Sequence, residues 1–89
     1  MIDNIEFRKW LISNTDYTDE AINDVVSRMK RADRMLEWDY KETYIFYLEK
    51  NDDFMKMSVS VKSQLRRAVK YYIDFWRSSN QEVIKQEEN

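Results

Sequence analysis

Residues 58–77 read SVSVKSQLRRAVKYYIDFWR, and this stretch decides the fold. Val61, Leu65, Ala68, Tyr72 and Phe75 follow one another at intervals of four, three, four and three residues. That spacing is one face of an α-helix. Val69 and Trp76 widen the face on one side. At ~100° per residue, Ser63, Arg66, Arg67, Lys70, Asp74 and Arg77 gather on the opposite side. A serine hydroxyl accepts a hydrogen bond from an unpaired first-turn N–H, so Ser58 or Ser60 is the expected cap. A helix from about Val61 to Ser78 would be roughly 27 Å long.

Charge is unevenly placed along the chain. Residues 58–79 hold five basic side chains (Lys62, Arg66, Arg67, Lys70, Arg77) against Asp74 alone, whereas residues 1–57 hold nine basic and thirteen acidic ones. Lys62, Arg66 and Arg67 fall in the first two turns of the expected helix, where the helix dipole disfavours cations by a few tenths to ~1 kcal/mol each. Helix stability alone does not select cations there. A phosphate ligand would. The plainer reading is a basic helix lying against the acidic remainder of the same domain.

Eighty-nine residues make one domain with a modest core. Three Trp, six Tyr and four Phe offset the small size, since each ring buries ~150–250 Å². The chain has no Cys and no His. A disulfide framework, a thiolate metal site and a histidine base are therefore excluded. It has no Gly, so no glycine-rich phosphate loop can be written. No apolar run approaches the ~20 residues that span a bilayer, and the N-terminus lacks the apolar core of a signal peptide. The expected location is cytoplasmic, with no membrane, cofactor, metal or small-molecule substrate. The absence of both Gly and Pro also argues against hairpins, whose turns want positive φ, and for helices.

Outward from the deciding stretch, three further helices are expected. Asp3 or Asn4 caps the first, which runs to about Ser13 with Phe7, Trp10 and Leu11 as its core stripe. Ile5 and Ile12 fall on its other side, which predicts a helix gripped on two faces. Thr18 opens the second, with Ile22, Val25, Val26, Met29, Ala32 and Leu36 buried. Its acidic first turn and its later Arg28, Lys30, Arg31 and Arg34 match the helix dipole. EWDYK, residues 37–41, breaks the pattern. TYIFYL, residues 43–48, is apolar nearly all round and reads as a short central helix that ends at Asn51, Asp52 and Asp53. The expectation is an all-α, compact four-helix bundle with a long C-terminal helix, one domain over residues 1–79, and a polar tail or linker over 80–89 that either extends the last helix or frays. The paired acids Glu37/Asp39, Asp52/Asp53 and Glu87/Glu88 read as loop or solvated positions rather than a catalytic pair.

The order of these segments carries a resemblance. FRKWL in the first helix, the Thr-capped second, YIFYLE in the third, and Ser58, Ser60, Lys62, Arg66, Ala68, Tyr72 and Phe75 in the last resemble the N-terminal, SAM-like core-binding domain of phage integrases and other tyrosine recombinases. Val25 and Val26 stand where that family carries a tyrosine. The resemblance implies a SAM-like bundle that clamps double-stranded DNA without catalysing recombination itself, since the catalytic residues belong to a separate domain. It implies DNA contacts from Lys62, Ser63, Arg66, Arg67 and Lys70, with Arg77 further along the last helix and Lys30, Arg31 and Arg34 on the second. The alternative from a different class is a protein–protein interaction module, including self-association. Tyr71, Phe46 and Ile45 are its expected exposed contacts, because exposed aromatic patches mark interfaces.

Overall fold

The computed structural model describes the backbone of residues 1–88 and the side chains of residues 1–79. Every regular element among the described residues is helical: α1 (Asn4–Asn14), α2 (Asp19–Met35), α3 (Tyr44–Glu49), α4 (Asp52–Met55) and α5 (Val59–Glu88). The expected all-α architecture is therefore present, with five helices where four are expected. Asn51 makes the difference. Its side chain accepts hydrogen bonds from the N–H groups of Asp53 and Phe54 at 3.0 and 3.2 Å. The stop signal of α3 is thus also the cap of a one-turn α4. The last helix is the longest, at 30 residues, and continues past the expected end at Ser78. The side chains of the expected tail lie outside the described residues.

The caps follow the sequence. Asp3 accepts from the N–H of Glu6 at 3.1 Å, and Thr18 from that of Ala21 at 3.2 Å. Of the two serines, Ser58 caps α5, through the N–H of Val61 at 3.3 Å.

α5 packs along α2, and α1 lies across both. Phe7 and Leu11 of α1, Val26 and Met29 of α2, Leu48 of α3, Phe54 of α4, and Leu65 and Val69 of α5 meet in one core. Removing apolar surface from water at ~25 cal/mol per Å² is what holds such a bundle together. α1 is gripped on one face only, contrary to expectation: Ile5 and Ile12 are 65% and 57% exposed. Among the described residues, its second apolar side stays in solvent. Ile73 joins the core although it lies at the edge of the expected stripe.

The segment between α2 and α3 supplies the centre of the core. Trp38 is only 2% exposed. Its ring meets those of Tyr72, Tyr44 and Trp76 edge to face, with centroids 5.1, 5.2 and 5.8 Å away. Such pairs add ~0.5–1.5 kcal/mol each beyond area burial. Three bonds fix the chain there: Trp38 N–H donates to Asp33 Oδ1 at 2.8 Å, the Tyr44 hydroxyl to the Leu36 carbonyl at 2.6 Å, and the Asn51 amide to the Met35 carbonyl at 3.1 Å. Tyr40 adopts φ 60°, an uncommon conformation for a bulky residue. The reversal turns the chain back toward α3 beside the buried indole.

Two predictions follow from this packing. Trp38→Ala lowers the unfolding free energy by about 3–5 kcal/mol in urea denaturation, the usual cost of emptying a buried aromatic site, whereas Phe46→Ala, on the exposed side of α3, changes it by less than about 0.5 kcal/mol. Burial pushes the phenol pKa of Tyr44 and Tyr72 upward. A folded-state pKa above the unfolded value near ~10 contributes stability that is complete below that pH and is lost as pH rises through the folded value. Alkaline titration of stability therefore shows a decline that sets in near pH ~10, and Tyr44→Phe makes that decline shallower.

Candidate nucleic-acid interface

The basic residues of α5 share the broad outward face of the helix, and the two edges of that face meet different neighbours. Lys62, Arg66 and Arg77 lie on the edge nearer α3 and the turn before it. Arg66 Nε donates to Glu49 Oε1 at 2.5 Å, and its guanidinium sits 5.5 Å from the centre of the Phe54 ring. Arg77 Nε lies 2.9 Å from Glu42 Oε1. Both pairs are partly exposed, so each contributes at most ~1 kcal/mol. They nonetheless occupy two of the side chains that the recombinase resemblance assigns to DNA. Lys62, one turn before Arg66 and half-buried, belongs to the same flank.

Ser63 and Lys70 lie along the middle of this face, and Arg67 on the edge nearer α2. They line an open groove of about 730 Å³ between α5 and α2, together with Gln64, Tyr71 and Asp74. Arg66 lines it as well, and Arg28 of α2 closes its far side. Arg28 and Arg67 also border a smaller hollow of about 200 Å³ beside Tyr17 and Asp24. Among the described residues, no salt bridge joins Arg28, Arg67 or Lys70 to a carboxylate. The groove thus presents cations from two helices, with Asp74 as the carboxylate in its wall.

Arg28 is the residue that the sequence reading leaves with the dipole-matched cations of α2. The signal is its position. It follows Val25 by three residues and precedes Ala32 by four, both buried, so it stands on the flank of α2 that meets α5. The other cations of α2 are less well placed. Lys30 is seven residues after Asn23, whose side chain bonds Arg8 of α1, and so shares the flank facing α1. Arg34 and Arg31 are exposed on the outer side, and neither lines the groove.

Tyr71 is not the free surface ring that its place at the stripe's edge predicts. Its hydroxyl lies 2.6 Å from that of Tyr17, and the two rings meet edge to face at 5.9 Å. The hydrogen bond with Tyr17 raises the Tyr71 phenol pKa, and burial adds to it. This pair ties the α1–α2 connection to α5 and forms the wall between the two hollows. Ile45 likewise packs partly against the core, whereas Phe46 is 61% exposed.

Among the described residues, no group of three or more acidic side chains is arranged to hold a metal ion, and no helix is long and apolar enough to cross a membrane. No protein-family model, curated protein or solved structure matches this chain.

The geometry separates structural from available cations. Glu49→Gln lowers thermal stability slightly, by no more than about 1 kcal/mol. Arg67→Ala and Lys70→Ala, which break no salt bridge, leave it within about 0.5 kcal/mol by the same measurement.

Proposed function

We propose that this chain is a non-catalytic, DNA-binding helical domain of the core-binding type that its sequence resembles. It meets the phosphates of duplex DNA through the outward face of α5 and the adjoining flank of α2, a role that goes with a cytoplasmic location. The observation that carries this reading is the groove in which Arg28, Arg67 and Lys70, none in a salt bridge, converge from two helices. Each cation that meets a phosphate releases a condensed counterion, which makes binding favourable at low salt and steeply salt-dependent. Arg66 and Arg77 contribute less than their charge suggests, because Glu49 and Glu42 already hold them. Asp74 in the wall and the chain's net charge of −2 keep the affinity weak, in the micromolar range or above.

The test is a fluorescence-anisotropy titration of labelled duplex. With about three phosphate contacts, the affinity of the unaltered chain falls roughly 40-fold between ~50 and ~200 mM salt. The triple variant Arg28→Ala, Arg67→Ala, Lys70→Ala binds at least ~10-fold more weakly at ~50 mM and shows a slope near zero. Asp74→Asn binds more tightly than the unaltered chain. Absence of binding at ~50 mM salt, or equal binding by the triple variant, overturns the reading.

A second reading, as a protein-interaction module, has its own support. Phe46, Tyr47, Met55 and Val59 are 61%, 58%, 57% and 80% exposed, and all belong to α3, α4 or the first turn of α5.

A further inference from the structure

We propose that the surface formed by α3, α4 and the first turn of α5 is a self-association face, and that its occupant is a second copy of this chain. The proposal deepens the interaction reading and is independent of DNA binding.

The face is continuous. Phe46 and Glu49 are three residues apart on α3 and so share a side of that helix. Glu49 holds Arg66, which lies over the Phe54 ring. Val59 precedes Arg66 by seven residues and stands on the same stripe of α5. Four of the eight large apolar side chains exposed among the described residues lie here, two of them aromatic. At ~150–250 Å² per ring, Phe46 and Tyr47 alone expose roughly 200–300 Å². A standard interface buries ~800 Å² per partner. Met55 and Val59 add further exposed apolar area, and the rim of an interface is polar.

Charge favours a second copy over a partner of one sign. The exposed charges at the α3–α4 junction are Lys50 and Lys56 against Asp52 and Asp53. They balance. A two-fold interface brings the same patch against itself, and a patch with equal numbers of both signs can place lysines against aspartates in both directions. A patch of one sign would repel its copy.

Sedimentation equilibrium between about 10 μM and about 1 mM tests the proposal without DNA. The unaltered chain passes from monomer to dimer across that range. Phe46→Ser with Tyr47→Ser, both on exposed positions, raises the dissociation constant at least ~10-fold. Lys50→Glu with Lys56→Glu makes the patch acidic, and Asp52→Lys with Asp53→Lys makes it basic. Each of these variants is monomeric alone, and the two mixed form a heterodimer. Circular dichroism confirms that each retains its helix content. A monomer over the whole range, a dimer untouched by the Phe46/Tyr47 change, or charge variants that fold but do not pair overturns the proposal. An open-ended rise in mass with concentration also overturns it, because a two-fold contact closes at two copies.

Discussion

Burial of Trp38 between α5 and the turn that precedes α3 is the constraint on which the rest of the structure depends. The indole meets Tyr44 on one side and Tyr72 and Trp76 of α5 on another. Tyr72 in turn meets Phe7 of α1 at 4.9 Å and takes a hydrogen bond on its hydroxyl from the N–H of Asp3 at 2.9 Å. One indole thereby links the start of α1, the end of α2, the start of α3 and the middle of α5. A chain of this size buries few residues, so large rings supply the area that numbers cannot. Among the described residues, the indole N–H finds no nitrogen or oxygen partner, a cost accepted within a shell of rings.

That packing fixes the rotation of α5 about its axis, and the rotation distributes charge. With Leu65, Val69 and Tyr72 turned inward, Arg66 and Arg77 come within reach of Glu49 and Glu42, Arg67 borders α2, and Lys70 stands between them on the outward face. One basic helix therefore performs two tasks. One edge of its outward face fastens α3 and the turn before it, and the rest lines the groove. The cost of placing cations near the positive end of a helix is offset at Arg66 by Glu49 and the Phe54 ring. Among the described residues no salt bridge compensates Arg67, and it is Arg67 and Lys70, with Arg28, on which the DNA proposal rests.

Much of the fold is legible in the sequence, because helical periodicity and capping are local. The stripes of α2 and α5 and the cap Thr18 could be read from spacing and residue type, and the other two caps to within a choice of two residues each, Asp3 or Asn4 and Ser58 or Ser60. Trp38 could not. It sits in a segment without periodicity, and its burial depends on a positive φ at Tyr40 that no local signal announces. The exposure of Ile5 and Ile12 was illegible for a related reason: a helix cannot tell from its own sequence how many neighbours it has. The candidate site was half legible. The net charge of α5 was plain, but which of its cations are already paired depends on Glu42 and Glu49, remote in sequence. Arg28 matched the dipole of its own helix so well that its position opposite α5 was hidden.

The most direct test of the groove as the DNA-facing surface is an amide and arginine-side-chain NMR titration of the chain with short duplex at ~50 mM salt. The largest shifts are expected at Arg28, Ser63, Gln64, Arg67, Lys70 and Tyr71, with the Nε signals of Arg28 and Arg67 moving and those of Arg66 and Arg77 nearly still. Shifts confined to α3 and α4, or none at saturating duplex, would contradict it.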